Sequence, residues 1–152
     1  MKNAFAVVLL LFTGLVFGQG KPSLRVVLDG VGQETAACGI SGPAMQAVAT
    51  RTLKAHGIAV SNDAASPYLY VNVNAYRVMQ GDTVVGCTTR LGVSVRAAAA
   101  EAAVRGFKPK TEGYVVVCEA GRLLSGAQHE MAGAVNKAFE QDIKSCLSQL
   151  SY

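Results

Sequence analysis

The stretch that decides the fold is Tyr68–Val95, YLYVNVNAYRVMQGDTVVGCTTRLGVSV. Leu69, Val71, Val73, Ala75 and Met79 fall on one parity, with Arg77 the single charged residue among them. Tyr68, Tyr70, Asn72, Asn74 and Tyr76 fall on the other. Alternation with a period of two is the pattern of a strand with one buried and one wet face. The second half repeats it: Cys87, Thr89, Leu91, Val93 and Val95 share one parity, and Arg90, Gly92, Ser94 and Arg96 the other. Gln80-Gly81-Asp82 joins the two as a hairpin.

Upstream, Leu24–Asp29 reads as a strand. A helix follows, with Ser41 as N-cap, Pro43 in its first turn and Gly57 where it stops. Its apolar face carries Met45, Val48, Ala49, Thr52 and Leu53. Ile58-Ala59-Val60 resumes extended chain, and Asn62–Pro67 is a turn-rich link. Downstream, Ala97–Arg105 is alanine-rich and compatible with helix, strand continuation or loop. Tyr114–Ala120 is a further strand, apolar on both parities. Ser125-Gly126-Ala127-Gln128 matches an S-x-x-Q capping box. It would open a helix running to about Leu150, with the stripe Met131, Val135, Phe139, Ile143, Cys146 and Leu150. The expected class is α+β, in the order β-α-β-β-β-α. Two helices pack on one face of a mixed, mostly antiparallel four-stranded sheet, and the other face is left open.

The amino terminus reads as an export signal. Lys2 precedes an apolar run, Ala4–Val16, too short to span a bilayer, and Val16-Phe17-Gly18 offers a cleavage site. Residues 1–18 are expected to be removed, leaving residues 19–152 as a single domain in the periplasm or outside the cell, with no stable membrane insertion. Without Lys2 the formal charge falls from +4 to +3. That charge is too small and scattered to argue for nucleic acid.

Four cysteines in an exported chain imply two disulfides. No C-x-x-C occurs. Cys38, just before the first helix, and Cys87, just after the hairpin turn, should meet at one end of the sheet. Cys146 lies on the inward stripe of the last helix, which must pack on the strand holding Cys118. The expected pairs are therefore Cys38–Cys87 and Cys118–Cys146.

Other motifs have plainer readings. Asp29-Gly30-Val31-Gly32-Gln33-Glu34-Thr35 follows a strand but puts Thr35 where a dinucleotide fingerprint needs its third glycine, so the glycines serve a turn. This reading places the helix well downstream. His56 and His129 are the only histidines, and neither stands in a metalloprotease frame. No spaced cluster of His, Cys and carboxylate appears, so neither a metal nor an organic cofactor is expected.

The run Leu53–Val60 followed by Tyr68–Val73 resembles small exported bacterial proteins. It is similar in outline to envelope accessory domains such as the N-terminal domain of the Tol-system propeller protein and the lipopolysaccharide-assembly lipoprotein. The resemblance implies two helices on one face of a mixed sheet and a function by partner binding. The acylated cysteine of the lipoprotein has no counterpart here, since the first cysteine is Cys38. No functional residue is carried over.

The leading expectation is a non-enzymatic binding or assembly module of the bacterial envelope, taking an envelope or extracellular protein or a second copy as partner. Its surface would be Tyr68, Tyr70, Asn72, Asn74 and Tyr76 with Arg90 and Arg96. Tyrosine and arginine are enriched at interfaces, although cross-strand packing alone favours tyrosine on a solvated sheet. The rivals are a small secreted enzyme whose site assembles from residues distant in sequence and a secreted inhibitor acting through Asn62–Pro67.

Overall fold

A computed structural model describes residues 22–98 and 113–150. The expected signal, residues 1–18, lies outside the described residues, as does 99–105 of the alanine-rich run. Ala97 and Ala98 are strand.

Among the described residues five strands form the sheet: β1 (Ser23–Asp29), β2 (Ala59–Val60), β3 (Tyr68–Gln80), β4 (Thr83–Ala98) and β5 (Tyr114–Gly126). Their spatial order is β2-β1-β3-β4-β5. β1 is parallel to both β2 and β3, whereas β3–β4 and β4–β5 are antiparallel. The expected class is therefore α+β with a mixed sheet, but with one strand more than the four anticipated. Ala59 and Val60 pair with Ser23 and Leu24, and so make a two-residue edge strand of what read as plain extended chain.

The helices number three among the described residues: α1 (Gln33–Ala37), α2 (Gly42–Ala55) and α3 (Gln128–Ser148). α2 has the anticipated boundaries. Ser41 caps it by accepting from the Ala44 N–H at 3.5 Å, and Gly57 has φ of 74° just beyond its end. α1 corrects the expectation that no helix begins near Gly32. It starts at Gln33, and Thr35 Oγ1 accepts from the Gly32 N–H at 2.8 Å. One glycine of that turn is sterically required. A Cβ on Gly30, whose φ is 78°, would collide with the Val73 carbonyl of β3.

The capping box is also corrected. Ser125 and Gly126 are still in β5, paired with Thr88 and Cys87, and α3 starts at Gln128 without a side-chain cap. Ser125 Oγ bonds Thr88 Oγ1 at 3.0 Å instead. Gln128 Nε2 donates to the Ala37 carbonyl at 2.6 Å and so ties α3 to α1. Tertiary pairing has overridden a local signal.

One face of the sheet is the core. Leu69, Val71, Val73, Leu91, Val93 and Val95 meet Met45, Ala49 and Leu53 of α2 and Met131, Val135, Phe139 and Ile143 of α3, all buried. The Cys38–Cys87 disulfide fastens the end of α1 to β4, with Cα atoms 6.0 Å apart. Cys118–Cys146 fastens α3 to β5, with Cα atoms 5.3 Å apart. Both are the pairs expected from the sequence. Past Ala75 the hairpin outruns this core: residues 76–83 are exposed. That explains Arg77, the charge on the inward parity. It pairs with Glu34 of α1 through Nε at 3.1 Å and a terminal nitrogen at 3.0 Å.

Candidate functional site

The second face of the sheet is built by the residues that alternate with the core. Register fixes its rows. Arg25, Tyr68 and Arg96 stand side by side, then Val27, Tyr70 and Ser94, then Asp29, Asn72 and Gly92. Asn74 and Arg90 follow, then Tyr76 and Thr88. β5 extends these rows with Val116 beside Arg96, Glu119 beside Ser94, Gly121 beside Gly92 and Leu123 beside Arg90.

Eight side chains of this face interlock. Tyr70 donates its hydroxyl to Asp29, Asn72 Nδ2 donates to the same carboxylate at 3.4 Å, and Asn74 Nδ2 donates to Asn72 Oδ1 at 2.6 Å. The Arg96 guanidinium lies 3.8 Å from the centroid of the Tyr70 ring and 5.4 Å from that of Tyr114. Arg25 lies 5.3 Å from the Tyr68 centroid, and Tyr68 meets Tyr114 edge-on at 5.7 Å. Guanidinium–aromatic and aromatic–aromatic contacts of this kind hold exposed side chains in one orientation. The network also sets charge. The hydrogen bond from Tyr70, then that from the Gly30 N–H, lowers the Asp29 pKa below its ordinary 3.8. The same hydrogen bond raises the Tyr70 pKa above 10.0, because it favours the protonated phenol.

Of the residues singled out in the sequence, Tyr68, Tyr70, Asn72, Asn74 and Arg96 are thus brought into one cluster. Tyr76, 65 % exposed, and Arg90 share the face but stand apart from that network, and neither makes a side-chain hydrogen bond or ion pair among the described residues. Ser94 is buried, covered by Arg96, whose Nε donates to it at 3.1 Å.

Sequence reasoning missed three members. Arg25 and Asp29 share the parity of the outer face on β1, so their spacing carried the signal. Tyr114 is subtler. Cys118 pairs with Val95 on the inner face, but Val116 pairs with Arg96 on the outer face, because the register shifts by one residue at Val117. That β-bulge reverses the parity of everything before it, and so turns Tyr114 outward. Cys118 and Val116, two residues apart in one strand, therefore stand on opposite faces.

Other candidate features lie elsewhere. His56 caps α2, with Nδ1 2.9 Å from the Thr52 carbonyl. His129 is exposed beside Glu130 at 3.7 Å. The Asn62–Pro67 link is braced by its own bonds, Ser61 Oγ to Ser66 Oγ at 2.9 Å and the Ala65 N–H to Asp63 at 3.0 Å. Among the described residues no three His, Cys, Asp or Glu side chains are grouped to hold a metal ion. No helix among them is long and apolar enough to cross a membrane.

Comparison with protein-family models gives no match, and comparison with curated proteins gives none either. Solved structures give remote likenesses. A minor lipoprotein from Acinetobacter baumannii is 12% identical with a TM-score of 0.41, over 83% of this chain and 92% of that one. The rare lipoprotein B of Shewanella oneidensis is 11% identical with a TM-score of 0.36, over 83% and 92%. A neuraminyllactose-binding hemagglutinin homologue from Helicobacter pylori is 13% identical with a TM-score of 0.38, over 90% and 88%. The first two of these neighbours are bacterial lipoproteins. At such TM-scores the likeness carries no functional argument.

Proposed function

We propose that this protein is a non-enzymatic binding module of the bacterial envelope or exterior, and that its contact surface is the outer face of the sheet. One observation carries the reading. The same strands present a core-packed face under α2 and α3, and on the reverse an interlocked set of Tyr, Arg, Asn and Asp side chains that no described element covers. Side chains already held in place lose little freedom on binding, which favours affinity. Its partner is an envelope or extracellular component. Protein, polysaccharide and a second copy of this chain all offer groups that such a face engages. Neither a cofactor nor a metal enters this function.

The test is the double variant Tyr70→Ser/Tyr76→Ser, assayed for association with isolated envelope and for self-association by sedimentation. It should keep both disulfides and the wild-type circular dichroism while losing association. A second pair, Arg90→Glu/Tyr76→Ser, changes residues that make no side-chain bond among the described residues, and guards against a folding defect. Two folded pairs with unchanged association would overturn the reading.

A further inference from the structure

The outer face has a feature that the interlocked cluster does not use. Asn72, Gly92 and Gly121 form one row across β3, β4 and β5. Two adjacent strands thus carry no side chain in that row, which leaves a flat-floored trough. Gly121 is sterically required, because a Cβ there would come within 2.8 Å of the Leu91 carbonyl oxygen. Gly92 is not: the nearest atom to a Cβ there would be the Asn72 carbonyl oxygen at 4.0 Å. At that position a larger side chain would fit, and the strand would gain from one.

The walls of the trough are chemically distinct. On one side stand Tyr70 and Glu119, with Arg96 of the next row folded over Ser94 between them, and Asp29 and Asn72 lie at the end of the trough's own row. On the other stand Asn74, Arg90 and Leu123. Arg96 spends Nε on Ser94, and its two terminal nitrogens donate to nothing among the described residues. Arg90 is exposed, and among the described residues neither it nor Arg25 forms an ion pair. The only carboxylates on this face among the described residues are Asp29, whose charge is taken up by Tyr70, Asn72 and the Gly30 N–H, and Glu119 near the β5 edge. Arg90 and Arg96 sit on one strand, roughly 20 Å apart at the rise of a strand, with the trough between them.

Resting on the reading of this face as the contact surface, we propose that its ligand is a carboxylate-bearing polysaccharide segment lying along β4. The fork of Arg96, aligned by stacking on Tyr70, would take one carboxylate, and Arg90 would take a second across the trough. The floor at Gly92 and Gly121 would admit a sugar ring against the backbone. The Asp29, Asn72 and Asn74 side chains supply acceptors and amide donors for ring hydroxyls. An acidic peptide fits less well. From Cys87 to Arg96 β4 is paired with β3 on one side and β5 on the other, so a peptide laid along it gains no main-chain ladder, the usual source of affinity for extended peptides.

The test titrates the oxidised protein with oligogalacturonate, its methyl-esterified neutral form and an oligoglutamate peptide. Binding is read by calorimetry and by amide shifts in NMR spectra. Oligogalacturonate should bind, shifting the Gly92 and Gly121 amides, with binding by the esterified form and the peptide weaker by tenfold or more. Arg96→Gln should weaken it by about tenfold, the scale of one charge-assisted contact, and Gly92→Val, which fills the floor, should weaken it by about as much at a melting temperature no lower than the parent's. Equal binding of the esterified form, or no binding of the acidic form, overturns the ligand class. Binding of the peptide alone, with shifts confined to the outer face, overturns the ligand class but leaves the contact surface standing. Shifts confined to α2 or α3 overturn both.

Discussion

Leu91 and Arg90 are neighbours in the chain and differ in everything else. Leu91 is 1 % exposed beneath the helices, while Arg90 stands in solvent with no side-chain partner among the described residues. The contrast repeats along β3 and β4. The inner face is held by packing and covalent staples. The outer face is held by hydrogen bonds and stacking between side chains that remain accessible. A protein can change the second at little cost in stability, and so that face is the one free to serve recognition.

The contrast can be broken most severely from the inside. Leu91→Ala should cost about 2–5 kcal/mol, the range for a leucine deleted from a packed core, read by urea unfolding. Replacing Cys118 and Cys146 together by Ala should cost about 2–4 kcal/mol, by releasing a loop constraint on the unfolded chain. Differential scanning calorimetry against the parent would measure it. A change below about 0.5 kcal/mol would mean that α3 is held on β5 without the staple.

An intermediate case lies at the sheet edge. Asp142 is buried on α3 and is held by Arg122 of β5 through Nε at 3.0 and 3.2 Å and through a terminal nitrogen, while Arg122 also donates to Gln141 at 3.2 Å. Arg122→Ala would leave a carboxylate without its partner. Because Arg122 is 38 % exposed, water reaches the pair and the loss should be about 2 kcal/mol, below the range for fully buried pairs. Arg122→Met should recover little of it, since the carboxylate stays unpaired.

The smallest effects belong outside. Arg90→Ala should shift unfolding by no more than about 0.5 kcal/mol. The Asp29–Tyr70 bond should appear as a pH dependence. Asp29 has a lowered pKa, so its contribution is present above the ordinary carboxylate value of 3.8 and is lost as pH falls through the folded value. Tyr70 has a raised pKa, so its contribution is present below 10.0 and is lost as pH rises through the folded value. Tyr70→Phe should flatten both limbs of the stability–pH curve.

These contrasts also mark what the sequence could reveal. Alternation in Tyr68–Val95 sorted the two faces of the hairpin, because a period of two is a local property of the strand. The Cys38–Cys87 pair followed from where the hairpin and the first helix begin, and the Cys118–Cys146 pair from the apolar stripe of the last helix. α1 was missed because five residues carry too little periodicity to register. Arg122 was missed because its strand read as ending at Ala120, ahead of a Ser-x-x-Gln signal at Ser125 that pairing with β4 overrides. Tyr114 was hidden by a bulge, which only the partner strand reveals. Arg25 and Asp29 were visible as residues, but their adjacency to Tyr68 and Asn72 depends on β1 lying beside β3.

The central claim is that the outer face binds while the inner face folds the chain. Its most direct test is a parallel measurement on the Tyr70→Ser/Tyr76→Ser variant, melting temperature against association with isolated envelope. The account predicts a melting temperature within a few degrees of the parent and association lost. A folded variant that associates as the parent does would contradict it.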